Sequence, residues 1–137
     1  MVPHALMILG AVLMTTDAPE SDREKFQGTW AVILGEREGV KLSEEAAREI
    51  KVVIEGDRYR HTRGDRTQAG TIKLDPTKVP KAIDVTPADG RTILGIYTIE
   101  GDTHKVCFAE YGGERPTGFS TEPESGKTLY VMRRVKP

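Results

Sequence analysis

The stretch Phe26-Gln27-Gly28-Thr29-Trp30, continued by Ala31-Val32-Ile33-Leu34, decides how the rest of the chain is interpreted. By the two-residue period of a β-strand, Trp30, Val32 and Leu34 share one face, and the residues between them share the other. Gly28 lets the chain bend sharply into the strand, and an indole is large enough to plug the end of a barrel. The stretch therefore predicts the first strand of a small β-barrel or sandwich.

Regularly spaced strands with tight turns follow this opening. Ser43 before a Glu- and Ala-rich run predicts one short N-capped helix over residues 43–49. From Ile50 onward, alternating apolar and polar residues predict strands over 50–55, 58–62, 68–74, 81–86, 92–99, 103–109 and 128–135. About eight or nine short strands joined by turns are typical of an all-β, antiparallel barrel or sandwich.

Length and charge limit the classes of protein to which this chain can belong. Its 137 residues correspond to one domain, with 37% hydrophobic and 30% charged residues, as in ordinary soluble domains. Twenty basic and 21 acidic residues leave a net charge of −1. This balance provides no electrostatic basis for binding nucleic acid or an anionic membrane surface, so neither partner is expected.

The first residues differ in composition from the remainder. Residues 5–14 are apolar and uncharged, too short a run to span a membrane but typical of the core of a signal peptide. We expect a cleaved signal peptide over residues 1–18, a domain over 24–137, and export to the periplasm or the extracellular space. An uncleaved membrane anchor and an apolar cap on the domain are the alternatives. Beyond this segment no membrane association is expected.

Chemistry-bearing motifs are sparse. Cys107 is the only cysteine, and its position in an apolar strand predicts a buried, inert thiol rather than a reactive one. His4, His61 and His104 lack the spacing of metal ligands. The serines lie in polar connectors without a Gly-x-Ser-x-Gly motif. We therefore expect no enzyme activity, no metal and no cofactor.

Several side chains are candidates for lining a cavity, if the barrel is open at one end. They share strand faces with apolar neighbours: Tyr59, His61, Ile93, Tyr97, Cys107 and Phe108. Arg115 lies in the long irregular stretch 111–119, where it is a candidate anion or ligand contact. The alternative is a solvated loop in which Arg115 pairs with Glu114 or Asp102. The predicted ligand-binding residues are Tyr59, Tyr97, Phe108 and Arg115.

The opening Gly28-Thr29-Trp30, the up-and-down strands and an arginine in the last strand resemble the lipocalin superfamily. This resemblance implies an antiparallel up-and-down barrel of about eight strands. It also implies that Trp30 packs at the closed end beneath an arginine of the last strand, either Arg133 or Arg134. These three residues are accordingly expected to be structural.

Over residues 24–136 the chain more closely resembles the uncharacterised lipocalin-like domains abundant in Planctomycetes. The resemblance is carried by short motifs in a specific order: Phe26-Gln27-Gly28-Thr29-Trp30, Leu74-Asp75-Pro76-Thr77-Lys78, Ile83-Asp84-Val85-Thr86, Leu94-Gly95-Ile96-Tyr97, residues 102–108, Arg115-Pro116 and Leu129-Tyr130-Val131. It implies export and leaves the function open.

Two functions follow from a barrel of this size. An eight-stranded barrel either fills with side chains or holds one small ligand. The first hypothesis is a binding module for a small apolar molecule, oriented by Arg115 or Tyr97. The alternative is a filled barrel that acts as a protein-interaction or envelope-structural module. An apolar cavity above a few hundred Å³ distinguishes the first from the second.

Overall fold

The computed structural model describes residues 20–136, and the expected signal peptide over residues 1–18 lies outside them. Two short helices and nine strands occur in this part of the chain. The helices are α1 (Asp22–Phe26) and α2 (Glu44–Arg48). The strands are β1 (Gly28–Arg37), β2 (Val40–Lys41), β3 (Ile50–Glu55), β4 (Arg58–Arg63), β5 (Arg66–Asp75), β6 (Ala82–Pro87), β7 (Ile93–Glu100), β8 (Thr103–Phe108) and β9 (Thr128–Arg134).

The strands form a closed antiparallel barrel. β1 pairs with β3, each later strand pairs with the next, and β9 returns to pair with β1. The closed ring therefore has eight strands, while β2 adds only two residues beside the end of β1. This confirms the all-β, up-and-down barrel expected from the sequence. Closure leaves no unpaired edge along the ring, which removes the main route to edge-to-edge aggregation.

Both helices begin at a serine cap. Ser43 Oγ accepts a hydrogen bond from the Ala46 amide at 3.1 Å, as the sequence predicted for α2. At α1, Ser21 and Glu24 form a reciprocal capping box. This capping box fixes a helical turn within residues 21–27, so α1 is a second short helix beside the one predicted over residues 43–49. Within residues 20–136, no helix is long and apolar enough to cross a membrane.

A β-bulge in β1 changes which side chains face the interior. Val32 pairs with Met132, but Leu34 pairs with Val131, so β1 gains one residue between them. Trp30 and Val32 point inward as predicted, whereas Leu34 lies on the outer face with Val131. The prediction that Leu34 shares the Trp30 face is therefore wrong, because an extra residue reverses the alternation beyond it.

The long connection over residues 109–127 crosses the outside of the barrel. Arg115 is anchored on β6 and β7, and the Phe119 ring lies 4.5 Å from Lys105 Nζ of β8. Beneath this crossing, Ile96 and Cys107 pair with each other on the outer face and are completely buried. Cys107 is thus a core cysteine, with its pKa raised by burial. The expectation that it lines the cavity is wrong, because it faces outward under the loop.

Candidate functional site

The barrel interior holds a cavity of about 490 Å³. Its floor is formed by Phe26 and His104 near α1, and its opposite end by Arg37, Tyr111 and Thr128. The walls between are mainly aliphatic; they include Val52 and Ile54 of β3, Ile72 of β5, Val85 of β6, Ile93 of β7 and Val106 of β8. The volume lies within the usual range for small-molecule sites, and the lining is mostly apolar, as in such sites.

A few polar side chains interrupt the apolar lining. Tyr59 and His61 project from β4, Gln68 from β5, and Thr128 and Tyr130 from β9. Burial lowers the pKa of His61, so its imidazole stays neutral at neutral pH. The pKa values of both tyrosines are raised, chiefly by burial. These groups can donate or accept hydrogen bonds without placing a charge inside the barrel.

The structure separates the four predicted ligand-binding residues into two pairs. Tyr59 and Phe108 line the cavity, in agreement with their positions on the inner faces of β4 and β8. Tyr97 and Arg115 do not belong to its lining. Neither is therefore placed to contact a ligand inside this cavity.

Tyr97 belongs to the closed base of the barrel. Its side chain is completely buried, and its hydroxyl donates a hydrogen bond to Asp22 Oδ2 at 2.7 Å. Lys81 Nζ donates to the same oxygen at 2.8 Å. Burial opposes ionisation of Asp22, but these hydrogen bonds hold its pKa below the ordinary value. Burial, followed by the bond to Asp22, raises the pKa of Tyr97. Tyr97 therefore fastens α1 to the base and is not free to orient a ligand.

Arg115 lies outside the barrel and anchors the long loop. One guanidinium nitrogen donates to the backbone carbonyls of Gly95 at 2.9 Å and Ile83 at 3.3 Å. Its other terminal nitrogen lies 2.8 Å from Asp84 Oδ1. Through the two carbonyls and the ion pair with Asp84, the Arg115 side chain bridges β6 and β7. The alternative pairing with Glu114 or Asp102 is not seen either.

Replacing Arg115 by methionine should lower the free energy of unfolding by about 1.5–3 kcal/mol, because a half-buried carboxylate and two carbonyls lose charge-assisted partners. Urea unfolding followed by circular dichroism measures the change. Arg48→Met is the matched control: its pair with Glu44 is exposed, so a loss within about 0.5 kcal/mol is expected. Equal effects of the two substitutions would contradict the anchoring role.

At the base of the barrel, Arg134 and not Arg133 is the arginine of the last strand that lies over Trp30. Arg134 stacks on Trp30, with its guanidinium carbon 4.3 Å from the ring centroid, whereas Arg133 is exposed. Arg134 also donates to the backbone carbonyls of Lys25 and Gln27 at the end of α1. The Trp30 indole donates to the Phe26 carbonyl at 2.9 Å. Trp30 and Arg134 thus close the base of the barrel, because both donate hydrogen bonds to backbone carbonyls at the C-terminal end of α1.

His104 is a buried residue to which the sequence pattern assigns no role. Its ring centroid lies 4.3 Å from that of Trp30 and 4.8 Å from that of Phe26. Its Nδ1 atom has no hydrogen-bond partner among the described residues. Burial, and then the nearby charge of Arg134, lower its pKa to about 3. At neutral pH, His104 is therefore an uncharged aromatic side chain that packs between the residues of the base and the cavity.

This depressed pKa makes stability pH-dependent. A histidine in the unfolded chain titrates near pH 6.5, so between there and about pH 3 the unfolded state binds a proton that the folded state does not. The contribution of neutral His104 to stability is fully present above pH 6.5 and is lost progressively as the pH falls towards 3. The unfolding free energy of the wild-type chain, relative to that of His104→Phe, should drop by about 2 kcal/mol from pH 7 to pH 5. If urea melts give the same difference between the two chains at pH 7 and at pH 5, His104 is not held neutral in the folded state.

Within residues 20–136, no group of three or more His, Cys, Asp or Glu side chains is placed to hold a metal ion. No family model, curated protein or solved structure matches the chain. The candidate site is therefore interpreted from its own geometry.

Proposed function

We propose that this chain is an exported lipocalin-like domain that binds a small, mostly apolar molecule inside its barrel. The observation that carries the proposal is the interior cavity of about 490 Å³ with aliphatic walls. A barrel filled by side chains, as the interaction or envelope-structural alternative requires, would leave no such volume. Burying a ligand against these walls contributes about 25 cal/mol per Å² of apolar surface removed from water.

Two further observations support the lipocalin-like assignment. The ring of eight up-and-down strands is closed, and Trp30 packs at its base beneath an arginine of the last strand. Both are features that the sequence resemblance implies. Export is proposed from the uncharged apolar run at residues 5–14.

Binding of the neutral fluorophore N-phenyl-1-naphthylamine tests the proposal. Its emission rises in an apolar environment, so titration of the folded chain should give a saturable increase that corresponds to one site. The same titration in unfolding concentrations of urea is the control, since no cavity exists there. A rise that stays linear with fluorophore concentration in the folded chain would contradict the proposal.

A further inference from the structure

The cavity mouth carries positive charge on one side. Arg37 lines the cavity at the end of β1, and its guanidinium donates to Thr128 Oγ1 at 2.9 Å. Arg63 ends β4 two residues after His61, a lining residue, so both share the inner face of that strand. Both arginines are exposed at the mouth rather than buried in the wall.

Tyr130 lines the cavity close to Arg37, since it lies two residues from Thr128 on the same face of β9. Its side chain lines the cavity, and burial raises the pKa of its phenol. The positive charges of Arg63 and Arg37 oppose this rise in the pKa of the phenol. The Tyr130 hydroxyl forms no hydrogen bond with another described residue. It is therefore available to donate to a group that enters between the two arginines.

The two arginines are incompletely neutralised by the protein. Arg63 forms no salt bridge within residues 20–136, and the carboxylate near Arg37 is Glu38, 3.7 Å away on an exposed pair. Acidic groups gather on another side of the mouth. Glu110 lines the cavity there, and Asp89 accepts a long hydrogen bond of 3.4 Å from Tyr111. Asp89 is paired there with Arg91 at 3.6 Å, whereas Arg63 has no carboxylate partner within residues 20–136.

We infer that the molecule held in the cavity is an amphiphile with an anionic head group. Its apolar tail occupies the aliphatic interior, and its head lies among Arg37, Arg63 and the Tyr130 hydroxyl. Guanidinium groups pair with carboxylate or sulfate oxygens through two parallel hydrogen bonds, and such charge-assisted bonds are stronger than neutral ones. This inference rests on the proposed function and adds the class of ligand to it.

Competition between decanoate and 1-decanol tests the head group, because the two probes have tails of equal length and differ in charge. Each is titrated at neutral pH and low salt against N-phenyl-1-naphthylamine bound to the wild-type chain. Decanoate should displace the fluorophore at a concentration at least tenfold lower than decanol does, because only its anionic head can form charge-assisted hydrogen bonds with the arginines. Equal displacement by both probes would overturn the anionic head while leaving the binding function intact.

Variants locate the head group. Arg37→Gln combined with Arg63→Gln should remove the preference for decanoate and leave the affinity for decanol unchanged. Arg60→Gln is the matched control, since Arg60 is an exposed arginine of the same strand that points outward. It should keep the full preference. An equal loss of preference in the control and the double variant would overturn the proposed location. If neither probe nor the fluorophore binds the wild-type chain, both the inference and the proposed function fail.

Discussion

Replacing Trp30 by alanine should lower the free energy of unfolding by ~3–5 kcal/mol. The indole is completely buried. It packs against His104 on one side and beneath Arg134 on the other. Truncation removes these contacts, opens a void beside the cavity floor and deprives the Phe26 carbonyl of its donor.

Urea unfolding followed by far-UV circular dichroism measures this effect, because the variant lacks the only tryptophan and cannot be followed by its fluorescence. Val79→Ala is the control for an apolar truncation without burial. Val79 is 98% exposed, so its substitution should change stability by less than about 0.5 kcal/mol. A loss below about 1 kcal/mol in Trp30→Ala would show that the base of the barrel does not depend on the indole.

Replacing Val85 by tryptophan should abolish binding without unfolding the chain. Val85 lies on the inner face of β6 opposite Ile72 and Ile93, and it lines the cavity. An indole at this position extends into empty volume, so we expect a cost to stability below about 1.5 kcal/mol. The affinity for N-phenyl-1-naphthylamine should fall at least tenfold, equivalent to about 1.4 kcal/mol.

Thr98→Trp is the matched control for this substitution. Thr98 is exposed on the outer face of β7, between the inward-facing Tyr97 and Ile99, so the same indole is added outside the cavity. Fluorophore affinity should be unchanged in this variant. Unchanged affinity in Val85→Trp would place the bound fluorophore outside the barrel.

Alternation predicted the strands well because each strand of a closed barrel has one face toward the core and one toward water. Tyr59 and His61 were placed on one face of their strand, and both line the cavity. Turn signals such as Gly56-Asp57 and Gly101-Asp102 lie in the hairpin turns, where both glycines have positive φ. The order of the strands follows because each hairpin places sequence neighbours side by side.

The bulge in β1 shows where local pattern is insufficient. Beyond Val32 the sequence continues to alternate, so nothing in it indicates that Leu34 turns outward and Arg37 inward. The register shift is visible only in the pairing with β9, about one hundred residues later in the chain. For this reason the cationic side of the mouth, which depends on Arg37, was missed.

Arg115 illustrates a different difficulty. An arginine in a glycine-rich loop has many partners available, and its sequence neighbours do not identify which one it takes. Its actual partner, Asp84, is on β6, and the carbonyl acceptors are on two strands. Tyr97 was misassigned for a similar reason, because alternation gives the inner face but does not distinguish the closed base from the open cavity. His104 and Tyr130 alternate inward in the same way, but their roles depend on depth along the barrel.

The central claim, that the barrel holds a small molecule, is tested most directly by native mass spectrometry of the protein purified from its own host. Spectra are compared before and after denaturing extraction. The cavity of about 490 Å³ predicts a bound species of fixed mass that is lost on extraction, and Arg37 and Arg63 at the mouth predict that it ionises as an anion. A protein mass that is identical before and after extraction, and that stays unchanged when a lipid extract of the host is added back, would contradict the claim.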